Sequence, residues 1–407
     1  MRMRMLPLVA CLVLSAALCT AFVKWLSPFA SAPVDAIDSR HGYSTGAACH
    51  AMPSEPQDSR PHGCQRGLLQ DERAAVAAAL RASVIMISHN EAGCAVRRTL
   101  LTVAARTPSL LLEELIVLDD SSSPAAEQAV TLAGGLPVTT TAHVRWIRSE
   151  HRLGVARSRM HAASAARGAA LVFLDAHCEP QHGWLPPLLA LLARSPHVVA
   201  LPVIEVLDKI SWRYRPGPRP AHPPRGVLAG WRMLEFGWSA LTPSQRVAVD
   251  AAGPLSPQRT PAMAGGLFAI RRDWFESSGA YDPGLEVWGG ENAEMSLRMW
   301  ACGGALYTLP CARVGHMFRS QAPFSWPNGS GALTVKRNAW RVAAVWMDEA
   351  AANASGLGLT ATALRALRGA PGLNERRELR RRLNCRSFRW YLRVVHPDHP
   401  PLPPDSQ

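Results

Sequence analysis

The stretch Leu171-Val172-Phe173-Leu174-Asp175-Ala176-His177-Cys178 decides the fold. Four apolar residues closed by an acid and a histidine read as a buried strand whose carboxyl end delivers two polar side chains to a crevice. Asp175 and His177 are two apart, so on extended backbone both leave the same face. One carboxylate with one neutral imidazole makes an O/N pair that suits Mn2+ or Zn2+ better than Ca2+. Taken alone, such a tripeptide is more often a strand end with a solvated Asp and a packed His.

Outward from this stretch the chain alternates strand and helix signals. Ser83-Val84-Ile85-Met86-Ile87 is a buried-strand run ending in His89-Asn90-Glu91, and Cys94 to Ala105 has helical spacing. Glu114 to Leu118 ends in Asp119-Asp120 before a helical stretch from Ala125 to Leu132. Val144 to Ile147 predicts a third strand, Val155 to Ala166 a helix, Trp184 to Ala193 another helix, and Val198 to Val206 a strand. The alternation predicts an α/β fold with a mostly parallel central sheet flanked by helices and a ligand site at the strand C-termini. Asp119, Asp120, Asp175 and His177 then converge on one edge.

Residues 208–261 are Pro-rich and irregular, which predicts long surface loops. Met263 to Ile270 resumes as strand, and Gly265-Gly266 within it permits close backbone approach to a ligand or, equally, a bulge. Trp288-Gly289-Gly290-Glu291-Asn292 opens a helical stretch through Ala301. Its tight turn sets an aromatic face beside a carboxylate, an arrangement suited to a sugar ring and its hydroxyls; a helix N-terminus with Glu291 serving the dipole is the plainer reading. Val314 to Arg319 adds the imidazole of His316 and a guanidinium suited to phosphate. His316 completes an Asp175, His177, His316 set.

The 407 residues are 48% hydrophobic, ample for a core, and the net charge of +13 favours anionic partners. Nucleic acid is disfavoured: no zinc-finger spacing, RNP-like stretch or basic region with heptads is visible. Leu6 to Val23 is 18 residues without a charge, about 27 Å as a helix at ~1.5 Å per residue, and Arg2 and Arg4 precede it. This reads as an uncleaved type II anchor with a lumenal remainder, since Pro33 disfavours signal cleavage after Ala30-Ser31-Ala32. The expected organisation is a cytosolic tail at 1–5, a signal anchor at 6–23, a flexible stem at 24–70, a catalytic domain at 71–397 and a C-terminal tail at 398–407. Nine cysteines are scattered without metal-site spacing, and a lumenal address permits disulfides. Asn328-Gly329-Ser330 and Asn353-Ala354-Ser355 are glycosylation acceptors if lumenal.

Taken in order, these runs resemble the polypeptide N-acetylgalactosaminyltransferases. The matching blocks are Ser83-Val84-Ile85 through His89-Asn90-Glu91-Ala92, Leu118-Asp119-Asp120-Ser121, Phe173 through Glu179, Thr260 through Phe268, Trp288-Gly289-Gly290-Glu291-Asn292, Val314-Gly315-His316 and Val345-Trp346-Met347-Asp348-Glu349. The resemblance implies a GT-A nucleotide-sugar transferase fold and Mn2+-dependent, retaining transfer of GalNAc from UDP-GalNAc to Ser/Thr of polypeptides in the Golgi. It places the metal ligands at Asp175, His177 and His316. Asp120 and Arg152 fall on the uridine and ribose, Arg319 on the diphosphate, and Gly265, Gly266, Trp288, Glu291 and Asn292 around the sugar. It also implies the pairs Cys64–Cys311 and Cys302–Cys385.

Two departures stand out. The family commonly carries a ricin-like lectin domain after the catalytic region, and with this sequence ending at Gln407 that domain is expected to be absent. In the loop after Arg319, Ala322 and Phe324 stand where the family usually has His and Tyr, which predicts weaker closure over UDP. The readings left open are a transferase of the same fold using another UDP-sugar, and an inactive homologue that retains UDP or peptide binding.

Overall fold

Strands Ala82–Ser88 (β1), Leu112–Asp120 (β2), Val144–Ser149 (β3) and Ala170–Asp175 (β4) pair side by side in parallel in the order β3-β2-β1-β4. β1, β2 and β4 are buried almost throughout because both faces of the sheet are covered there, whereas the edge strand β3 is half-buried. With a side-chain period of two, Val84, Met86, Val117, Val172 and Leu174 join one core cluster, while Ile85, Ile116, Leu118, Leu171 and Phe173 join the other. Helices Gly93–Arg106, Ala126–Leu132 and Val155–Ser164 make the crossovers.

The computed structural model describes residues 40–56, 58–215, 222–230, 234–319, 324–326, 330–348, 367 and 370–399. The expected tail at 1–5, the anchor at 6–23, the stem up to residue 39, Ala322, both sequon asparagines and the end of the chain from 400 lie outside the described residues. Among the described residues no helix is long and apolar enough to cross a membrane.

Beyond β4 the sheet turns mixed. Phe268–Arg271 (β10) runs antiparallel between β4 and Val198–Val206 (β6), and Ala305–His316 (β11) returns parallel to β6. Cys178–Pro180 (β5) closes the far edge against β11, and Gln258–Arg259 (β9) pairs with β11 off the main path. The outcome is a nine-stranded, mostly parallel sheet among the described residues. It is the α/β architecture expected from the sequence.

Three segments differ from expectation. The strand expected from Met263 is regular only from Phe268, because Gly265 has φ +93 and bends the backbone away from extended geometry. The segment 208–261 is more structured than its prolines suggested. It contains a two-stranded ribbon, Arg225–Gly230 (β7) with Glu235–Ser239 (β8), and a helix at Pro243–Ala252. That helix starts at Thr242, whose side chain forms a capping box with Gln245 and has Pro at the first helical position, a legible start signal.

The third difference is at the N-terminal side. Residues expected as stem are packed onto the domain from 40 onward: helix Cys64–Ala77 lies against helix Leu185–Arg194, and Tyr43 and Cys49 are fully buried. A third disulfide, Cys49–Cys94, joins the two pairs implied by the family resemblance, Cys64–Cys311 and Cys302–Cys385.

Candidate active site

The sheet register assembles the site. Ile87 of β1 pairs with Asp175 of β4, so the two strands end level with each other. In β10, Phe268 pairs with Phe173; continuing that antiparallel register by two residues sets Gly266 opposite Asp175. A Cβ at Gly266 would come within 2.3 Å of Asp175 Oδ2, and one at Gly265 within 2.7 Å of Asn292 Cβ. The glycine pair is therefore the gap through which the strand passes the acidic rim, and the close approach it permits here is to the side chains of Asp175 and Asn292. Meanwhile His316, the last residue of β11, pairs with Cys178 and so lies beside the Asp175–His177 turn.

Asp175, His177 and His316 each offer one ligand atom, and these atoms lie within 4.8 Å of one another. His316 Nε2 is 3.2 Å from Asp175 Oδ2, and the two imidazoles sit 4.8 Å apart centre to centre. His316 Nδ1 is buried without a hydrogen-bond partner. His177 Nδ1 is 3.1 Å from Glu91 Oε2, which leaves Nε2 as its remaining nitrogen. Burial lowers the pKa of both histidines. Burial would raise that of Asp175, but the hydrogen bond from His316 and the nearby Arg159 guanidinium hold it below the ordinary carboxylate range. One ionised carboxylate and two neutral imidazoles form an O/N/N donor set that fits a divalent cation such as Mn2+.

Arg159 was not singled out from sequence. It is buried on the inner face of helix Val155–Ser164, with Nη2 3.3 Å from Asp175 Oδ1 and Nη1 3.3 Å from the Tyr281 hydroxyl. An arginine within a helical stretch gives no local signal of this contact.

The Trp288–Asn292 turn stands across the site. Gly289 and Gly290 have φ of +100 and +89, and Val287 has φ +54, which a β-branched residue rarely adopts. The turn is held from behind by Asn338, which donates to Glu286 O and Gly289 O at 2.8 Å each, and by Val155 N, which donates to Val287 O at 2.8 Å. Trp288 remains 52% exposed, an aromatic face open to a ligand. Glu291 is the first residue of helix Glu291–Ala301 and accepts a 2.7 Å bond from Gly289 N. Burial raises its pKa against the opposing charge of Arg159.

Asp120 is at the rim of β2, with Oδ1 accepting from Leu153 N at 2.6 Å and Oδ2 from Gly154 N at 2.9 Å. It thereby fixes the loop carrying Arg152, whose Nη1 is 2.8 Å from His89 Nε2 and whose guanidinium lies 5.0 Å from the centre of the Phe324 ring. Asp119, expected on the same acidic edge, is turned away. Its oxygens accept from Ser122 N at 2.8 Å and Ala126 N at 3.0 Å, and it pairs with Arg148. Arg319 reaches the site from beyond β11 and donates to Glu91.

A GT-A sheet with a carboxylate–imidazole cluster at its strand ends is the architecture of a nucleotide-sugar transferase. The sequence profile of glycosyl transferase family 2 matches residues 83–279, and that described as the N-terminal domain of galactosyltransferase matches residues 246–321. The chain is 40% identical over 317 residues to the probable N-acetylgalactosaminyltransferase 6 of Caenorhabditis elegans, covering 78% of this chain and 50% of that protein. It is 39% identical over 318 residues to polypeptide N-acetylgalactosaminyltransferase 6 of Homo sapiens, with the same coverage. A crystal structure of GalNAc-T7 with UDP, GalNAc and Mn2+ superposes with a TM-score of 0.73 at 30% identity, covering 93% of this chain and 68% of that one. The chain belongs to the polypeptide N-acetylgalactosaminyltransferase family. It spans about half the length of the curated relatives it matches.

Proposed function

We propose that the protein transfers GalNAc from UDP-GalNAc to Ser or Thr hydroxyls of polypeptides, with retention of configuration. The observation that carries this reading is the convergence of Asp175, His177 and His316 beside the Gly265-Gly266 strand and the Trp288–Asn292 turn. A relative solved with UDP, GalNAc and Mn2+ supports the donor and the metal. The alternatives of another UDP-sugar or an inactive homologue lack any such support.

Asp175, His177 and His316 would hold Mn2+, which when bound offsets the negative charge that accumulates on the departing diphosphate. The chain's own residues then do the positioning. Gly266 lets the donor approach Asp175 closely, and Trp288 offers the sugar a flat apolar face. Glu291, held by Gly289 N and buried, accepts hydrogen bonds from sugar hydroxyls, and its raised pKa follows from that same burial. Asp120 and Arg152 shape the edge toward the nucleoside and Arg319 the edge toward the diphosphate. As the donor's C1–O bond breaks and the acceptor oxygen bonds to C1, the hydroxyl proton passes to the leaving phosphate, so Glu291 orients and does not attack. The expected setting is the Golgi membrane, with residues 6–23 as anchor and the catalytic region lumenal.

The test incubates the chain with Mn2+, a Ser/Thr/Pro-rich peptide and a panel of UDP-sugars, and then weighs the peptide. An added N-acetylhexosamine from UDP-GalNAc alone is expected. Transfer of a different sugar, or UDP binding without transfer, rejects the proposal.

A further inference from the structure

We propose that the segment 40–56 is a strap that positions the metal ligand His177, acting through Tyr43 and Glu91 and secured by the Cys49–Cys94 disulfide. The proposal rests on the metal reading above and adds to it a second tier of residues.

The strap is joined to the domain at several points. Besides the disulfide, Arg98 Nη1 donates to Ala51 O at 2.7 Å and to Ala48 O at 3.1 Å, and Trp212 Nε1 donates to Ser44 O at 3.0 Å. These anchors bury Tyr43 completely, edge-on to Trp212 at 5.2 Å and 6.4 Å from the His177 ring.

The Tyr43 hydroxyl donates to Glu91 Oε1, which also accepts from Ala92 N at 3.1 Å. With that oxygen fixed, the other, Oε2, faces His177 Nδ1 at 3.1 Å and takes Arg319 Nη2, which itself lies 2.5 Å from His177 Nδ1. Glu91 Oε2 and the Arg319 guanidinium together hold the Nδ1 side of the ring, which prevents it from turning and leaves Nε2 as the nitrogen that faces a metal. Glu91 is buried, so its oxygens need these donors as hydrogen-bond partners. Tyr43 thus acts on the metal site through Glu91, two contacts away from the ligand His177. Glu91 and Tyr43 are positioning residues, and the disulfide keeps Tyr43 in reach.

The experiment measures the dissociation constant for Mn2+ by electron paramagnetic resonance of the free ion, alongside the melting temperature without metal. The chain is compared with Glu91→Ala, Tyr43→Phe and the double variant Cys49→Ser/Cys94→Ser. Loss of a carboxylate behind a ligating histidine weakens metal binding by about 10–100-fold. That range is expected for Glu91→Ala, with a smaller weakening in the same direction for the other two. A strap that serves only packing would lower the melting temperature and leave the Mn2+ dissociation constant unchanged in Tyr43→Phe and in the double serine variant; that result overturns the proposal. Tyr43→Phe removes a single oxygen, so it decides the question if Glu91→Ala does not fold. Failure of the unaltered chain to bind Mn2+ would instead reject the metal assignment itself.

Discussion

Two neighbouring rims of the same sheet end in acids and use them differently. At the end of β2, Asp119 and Asp120 each accept from two backbone amides, Ser122 and Ala126 for one, Leu153 and Gly154 for the other, and each also pairs with one arginine, Arg148 and Arg152. At the end of β4, Asp175 accepts from side chains only, Arg159 and His316, among the bonds that involve its carboxylate. A carboxylate saturated by amides is a structural brace. One held between an arginine and an imidazole can exchange a side-chain contact for a cation. The difference is that the loop after β2 folds its amides back onto the acids, whereas the segment after β4 leaves the Asp175 carboxylate to side-chain partners.

Asp175→Asn is expected to have the largest effect, because it removes the one anionic ligand. Charge stabilisation by a bound metal is worth several kcal/mol, so Mn2+-stimulated transfer should fall by about 10³-fold or more. Rates at saturating UDP-GalNAc over a Mn2+ titration check this, and an undiminished rate would break the contrast with β2. Gly266→Ala comes next: its Cβ would press on Asp175 Oδ2, so Mn2+ affinity should drop while the apo melting temperature changes little. Asp119→Asn sharpens the other side. It weakens a brace at the start of helix Ala126–Leu132 and should cost about 1 kcal/mol in denaturant titration, with the Mn2+ dissociation constant unaltered.

The smallest expected effect concerns pH. His177 and His316 are both shifted below the ordinary imidazole value by burial. They are therefore less protonated at pH 6.5 than an exposed imidazole, which is half protonated there, so Mn2+ affinity should weaken with falling pH later than exposed histidine ligands would make it. The unfolded chain binds more protons than the folded one below about pH 6.5, so the apo protein should lose stability as pH falls through that region. Replacing either histidine should flatten the loss, which a series of melts across pH would detect.

The β2 and β4 rims were equally visible in the sequence, because apolar runs closed by acids mark strand ends whatever follows them. Asp175, His177 and His316 could be grouped from their positions, and the glycines opposite them from their strand context. Whether Asp119 points in or out was not legible, since it depends on the turn at Ser122 and on the start of the next helix. Arg159 and Tyr43 were hidden for another reason: their partners lie 16 and 48 residues away, and nothing local in a helix or a Ser- and Pro-rich stretch marks them. The same composition that suggested a flexible stem concealed Cys49, whose partner Cys94 opens the first crossover helix. A lone cysteine in such a stretch carries no pairing information until the fold brings its partner near.

The measurement that tests the central claim most directly is anomalous diffraction at the manganese edge from crystals grown with Mn2+ and UDP. A single strong peak is expected among Asp175 Oδ2, His316 Nε2 and His177 Nε2, with the diphosphate beside it. UDP bound at the strand ends with manganese elsewhere, or with none, would contradict it.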